Sequence, residues 1–181
     1  MDVADNVENE FGFALLHVVS LPDLYDGKLC AALDRQHPRD LFDVKYLIET
    51  QGIERNIFDG FITYLLSHNR PISELLNPKW KDITDIYHNE FLGMTFKTTR
   101  LDDLNNIRAI LVRKLKSHFI QRDYDFLLSF KQGQPNWSLA PNENIQNLPA
   151  VKWKLLNINK MKNDKHNASI KQLEDVMAHW L

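Results

Sequence analysis

The sequence predicts a mainly α-helical fold, a helical bundle preceded by one β-strand near the N-terminus. Three observations carry this. Gly and Pro together account for only 13 of the 181 residues, and they fall mostly between periodic segments. Apolar residues recur at spacings of three and four through most of the chain, the signature of one buried helix face. Residues 11–20 alone break that period, with Phe13, Leu15, His17 and Val19 on one side and Ala14, Leu16 and Val18 on the other. An alternation that is apolar on both sides suits a buried strand.

In order along the chain, Met1 to Glu10 is acidic and polar and reads as a tail. Phe11 to Ser20 is the strand. Ser20 and Pro22 then open a helix, with Asp23 in its first turn and an end near Gln36. Pro38 opens the next helix, which should stop near Gly52. Further helices are expected at about 53–68, 71–77 and 82–93. The clearest helix runs from Leu101 to Phe119: Thr99 is its expected cap, and Asp102 and Asp103 lie in its first turn. Lys114 and Lys116 lie near its end, and Leu104, Ile107, Leu111, Leu115 and Phe119 form its apolar stripe. A helix at 121–131 follows. Gly133 to Pro149, with three prolines and four asparagines, reads as a long loop. Helices at about 150–161 and 167–180 close the chain. The division is therefore residues 1–20, a tail and strand, and residues 21–181, a helical region. A single strand needs a sheet to join, and this chain offers no partner for it. The expectation is that the chain is the later part of a larger fold.

Composition excludes several classes. With 44% apolar residues and a net charge of −2, the chain is not disordered throughout. Its longest apolar run is too short to span a bilayer, so no membrane role is expected. The N-terminus lacks the basic region of a signal peptide, and the single cysteine, Cys30, cannot form an internal disulfide, so the cytoplasm is the expected compartment. Charge is unevenly spread: residues 1–90 sum to −8 and residues 91–181 to +6. This suits a positive surface for phosphate, or equally two halves that attract each other.

The segment richest in chemistry is GKLCAALDRQHPRDLFDVKYL, residues 27–47. Helical geometry puts Lys28, Ala31, Ala32 and Arg35 on one face, and the two alanines leave room against it. In the next helix Asp40 and Asp43 share a face near an N-terminus, where negative charge is favoured. The short His37–Pro38 link lets the two helices form a hairpin with cations facing carboxylates. Spacing alone leaves two readings open. One is a structural ion-paired hairpin. The other is a phosphate site, in which Lys28 holds a triphosphate and an aspartate acts on the attacking hydroxyl or orients the lysine.

The run KLCAALDRQHPRDLFDVKYLI resembles the distal motif of the AbiEii/AbiGii family of nucleotidyltransferase toxins, the toxin halves of bacterial toxin–antitoxin and phage-defence pairs. The pattern is a Lys opening a helix, small residues and an Arg, then Arg-Asp-x-x-Asp in the next helix. FLLSFKQGQPNW with LPAVKWKLLNINKM is similar to the C-terminal region of one branch of that family. The resemblance implies the distal part of a nucleotidyltransferase α/β fold. It also implies nucleotide transfer from a nucleoside triphosphate, with Mg²⁺ for the complete enzyme, to an acceptor such as tRNA or another RNA, and a cognate antitoxin. It makes Lys28 and Asp40 the catalytic candidates, and Lys28, Arg35 and Arg39 the nucleotide-binding candidates, with Asp43 in support.

The family's upstream Gly-Ser turn and paired-aspartate strand have no counterpart among the 181 residues. The one Asp-x-Asp, Asp123 and Asp125, reads as a solvated helix start, so no metal ligands are assigned. The chain alone is expected to be inactive, and the remnant strand at 11–20 invites dimerisation. The alternative is a non-catalytic helical protein-binding module or relic. The seven histidines show no i, i+4 pair, which argues against zinc. Cys30 reads as a small core residue, Trp80, Trp137, Trp153 and Trp180 as packing residues over base-stacking platforms, and Lys152, Lys154, Lys160 and Lys162 as a solvated face over a phosphate-tracking one.

Overall fold

The computed structural model describes residues 5–12 and 19–181. The described residues form α-helices and two short 3₁₀ turns, with no strand among them. Helix α1 spans Asp5–Phe11, so the segment expected as a tail is helical from Asp5, and Phe11 closes that helix instead of opening a strand. Residues 13–18, the heart of the expected strand, lie outside the described residues, as does the dimer contact that would rest on it.

Helix α2 (Leu21–Asp34) begins at Ser20, whose hydroxyl accepts from the Asp23 amide at 3.3 Å. Helix α3 (Pro38–Thr50) is capped by His37, whose Nδ1 accepts from the Arg39 amide. Gly52, at φ 81°, takes the left-handed conformation just beyond it. Helix α4 (Arg55–Ser67) buries Ile57, Phe58, Phe61, Ile62, Leu65 and Leu66, the doubled stripe of a central helix. Helices α5 (Ile72–Leu76) and α6 (Thr84–Glu90) are short.

Helix α7 (Leu101–Lys116) ends before His118 and Phe119, although its whole expected stripe is buried. Its cap is Arg100 and not Thr99: the Arg100 amide donates to the Asp103 carboxylate at 3.2 Å. Thr99 instead offers its carbonyl to the Tyr87 hydroxyl. Helix α8 (Gln121–Lys131) leads into the expected loop, which holds 3₁₀ turns at Trp137–Leu139 and Glu143–Asn147. Trp137 packs against Phe126 and Phe130, so this stretch is anchored by an aromatic wedge. Helices α9 (Pro149–Asn159) and α10 (Asn163–Met177) close the chain.

Helix α2 packs on α3 and α4, α3 on α7, α4 on α9, and α10 on α5 and α8. This leaves α2 and α3 as a hairpin with one side on the core and the other towards solvent. No helix of the described residues is long and apolar enough to cross a membrane.

Candidate functional site

The hairpin closes over three residues. Gln36 adopts φ 60°, a left-handed conformation that costs a non-glycine residue about 1 kcal/mol. Its side chain offsets that cost: Nε2 donates to the Lys79 carbonyl at 2.9 Å and Oε1 accepts from the Lys81 amide at 2.8 Å. The turn and the 77–83 connection are thereby tied together, which fixes the register of α3 against α2.

Two ion pairs cross the hairpin. Lys28 Nζ donates to Asp43 Oδ2, and Arg35 Nη2 donates to Asp40 Oδ1 at 2.8 Å. Lys28 and Arg35 are two turns apart, about 10 Å along the axis, so the pairs form two rungs on one side. Lys28 meets Asp43 and not Asp40. The lysine side chain is 33% exposed and the arginine 65%. One bond each leaves two ammonium hydrogens and four guanidinium hydrogens uncommitted to these pairs. Asp40 is buried near the α3 N-terminus, and its Oδ2 has no hydrogen-bond partner among the described residues. Arg39 turns away: its guanidinium reaches the Glu90 carbonyl at 3.3 Å. Beneath Lys28 lies the buried Tyr25. Burial pushes its phenol pKa up, and the Asp43 charge adds to that. Cys30 is buried against the Phe61 carbonyl, and burial pushes its thiol pKa up, the direction that disfavours a nucleophilic thiolate.

Other residues stand apart from their expected roles. Asp123 is not a solvated helix start; it is 1% exposed. Its carboxylate takes a bidentate bond from Arg55 at 2.9 and 2.6 Å and also accepts from the Ile120 amide. Asp125 accepts from Gln121. The only Asp-x-Asp is therefore committed to structure. Among the described residues no group of three or more His, Cys, Asp or Glu could hold a metal ion, and both hairpin aspartates face a cation. This donor set does not fit the Mg²⁺ site that nucleotide transfer requires.

Lys154 is not on a solvated face. Its ammonium donates to the carbonyls of Leu65, His68 and Arg70 at 3.0, 2.7 and 2.9 Å, capping the end of α4 from α9. Burial, with Lys131 adding to it, pushes its pKa down to about 8. Trp180 is buried and donates to the Leu76 carbonyl, but Trp153 is 64% exposed and does not pack. Periodicity hides such roles, because each depends on residues far away in sequence.

A family model described as nucleotidyl transferase AbiEii toxin, type IV toxin–antitoxin system, matches residues 1–155, a stretch that takes in the whole hairpin. No curated protein and no solved structure matches. The chain therefore belongs to the AbiEii family of nucleotidyltransferase toxins.

Proposed function

We propose that the α2–α3 hairpin is the phosphate-gripping part of a nucleotidyltransferase toxin. In this reading it holds the triphosphate of a nucleotide destined for an RNA acceptor such as tRNA. The observation that carries it is the pair of rungs. Asp43 and Asp40 orient Lys28 and Arg35, and each cation keeps donors for phosphate oxygens. Cations held in place before the ligand arrives cost little reorganisation, which is where electrostatic stabilisation of a transferring phosphoryl group is strongest. Lys28 supplies a compact point charge and Arg35 a planar fork that matches a phosphate edge. Asp40, the catalytic candidate of the resemblance, acts in this reading by orienting Arg35, because its second carboxylate oxygen is buried away from any substrate hydroxyl. Arg39 sits one residue before Asp40 and would join only by leaving Glu90. In this reading residues 21–181 form the helical region that carries the grip.

The metal-binding carboxylates are a separate requirement, and the described residues do not meet it. We therefore expect this chain alone to be catalytically silent, with the metal cradle supplied from elsewhere. Incubation with labelled nucleoside triphosphates, Mg²⁺ and total tRNA should leave the RNA unlabelled. Metal-dependent labelling by the chain alone would overturn this part of the reading.

The commitment of Asp123 to Arg55 favours a second reading, a non-catalytic helical module. Tripolyphosphate separates the two. The gripping hairpin binds it, and Lys28→Ala weakens that binding about tenfold; a non-catalytic module shows no binding that depends on Lys28.

A further inference from the structure

The end of α4, the 69–71 connection, α5, α9 and α10 close around a cavity of about 690 Å³, with the last turn of α8 at its edge. That volume suits a small organic ligand. Its lining carries four cations, Arg70, Lys131, Lys154 and Lys165, against one carboxylate, Glu74. Arg70 takes Glu74 at 3.2 Å and also binds Asp34 at 2.5 Å, so the lone carboxylate of the lining is already matched.

Three ammonium groups remain. Lys154 is held by three carbonyls, which are dipoles and not counter-charges. Lys131 is half-buried. Burial pushes its pKa down, with no carboxylate among the described residues opposing, and its charge in turn bears on Lys154. Like charges that share a half-buried space cost free energy, and an anion placed between them recovers it.

The same cavity holds Trp153, whose exposed indole offers a flat apolar face beside the cations. Base–aromatic stacking contributes about 1–3 kcal/mol and tolerates any base. A flat aromatic face and cations lining one cavity suit a ligand that carries both a ring and a phosphate.

We propose that this cavity binds a nucleoside 5′-phosphate moiety, its phosphate between Lys131 and Lys165 and its base stacked on Trp153. The moiety comes either from a free nucleotide or from the unpaired end of an RNA strand. The cavity shares no residue with the hairpin rungs, so the proposal stands or falls apart from the hairpin reading.

The test is calorimetric titration of the full chain with AMP, inorganic phosphate and an adenosine decaribonucleotide. AMP should bind at least about tenfold more tightly than inorganic phosphate. Trp153→Ala should erase that margin and leave phosphate binding unchanged. Lys131→Ala and Lys165→Ala should each weaken AMP by about tenfold. Trp153 and Lys165 are exposed, so their variants keep the fold, which circular dichroism verifies. The same titrations in a Lys28→Ala background remove any phosphate bound at the hairpin from the readout, which separates a failed cavity from a failed hairpin. A decamer that binds about tenfold more tightly than AMP identifies an RNA strand as the source, and equal affinity identifies the free nucleotide. No AMP binding by the folded chain, or AMP binding that is indifferent to Trp153→Ala and Lys131→Ala, would overturn the proposal.

Discussion

Asp26→Asn should stabilise this protein at high pH and not at low pH. Asp26 is 3% exposed, and its Oδ1 has no hydrogen-bond partner among the described residues. It lies flat on Gly60 of α4, so close that a Cβ there would meet its Oδ2 at 1.5 Å. Burial, then the charges of Asp23 and Asp59, push its pKa up from 3.8 to about 7. Between about pH 4 and pH 7 the folded chain holds a proton that the unfolded chain has lost, so stability falls as pH rises through that window.

A rise of about three units would correspond to roughly 4 kcal/mol for a fully enclosed carboxylate. Asp26 borders an open pocket of about 280 Å³ with Asp23, Asp59 and Asn142, so solvent screens it on one side. That reduces the penalty to roughly 2 kcal/mol. Asparagine keeps the shape and has no charge to lose. Its melting temperature relative to the parent chain should therefore be about 4–8 °C higher at about pH 8 than the same difference at about pH 4. Thermal unfolding followed by circular dichroism at the two pH values measures this. Contributions from groups remote from Asp26 cancel in the difference between the two proteins. If the Asn–Asp difference is the same at both pH values, the buried-carboxylate account is wrong.

Two other interactions should register in unfolding experiments. Asp123→Ala removes the bidentate partner of Arg55 and the carboxylate that accepts from the Ile120 amide. It should lower the urea-unfolding free energy by about 3 kcal/mol, and a loss below the cost of a single cap, about 1 kcal/mol, would contradict the anchoring role. Lys154→Met leaves three carbonyls at the end of α4 without their donor. A loss of about 2 kcal/mol is expected, with hydrogen exchange faster in the last turn of α4 than in α7.

The reach of the sequence reading follows how local each feature is. Helix α7 is legible because its stripe from Leu104 to Leu115 and its terminal charges lie within one segment. The α2–α3 hairpin is legible for the same reason, since Ser20, Pro22 and Pro38 mark its helix starts within a few residues. The choice of Asp43 over Asp40 as the partner of Lys28 is not legible. It depends on register, and Gln36 helps set that register through bonds 43 and 45 residues away. Arg55 and Asp123 are 68 residues apart, and Lys154 lies 84–89 residues from the carbonyls it caps. A composition of Gly, Pro and Asn correctly marks 133–149 as irregular, but the anchoring of Trp137 between Phe126 and Phe130 is a tertiary contact. Gly60 shows no signal of its own either; it is required because the Asp26 carboxyl rests on it.

The central claim is that Lys28 and Arg35 form a prepared phosphate grip. Titration of the ¹⁵N-labelled chain with tripolyphosphate, followed by amide NMR, tests it residue by residue. The account predicts progressive shifts concentrated in the amides of 27–36 and 39–44. Lys28→Ala should move the midpoint of these shifts about tenfold higher in tripolyphosphate and remain folded, because a part-exposed ion pair contributes only about 0–1 kcal/mol to stability. If the hairpin amides stay still at saturating tripolyphosphate, or move with the same midpoint in Lys28→Ala, the hairpin is a structural ion-paired element and the phosphate-gripping account is wrong.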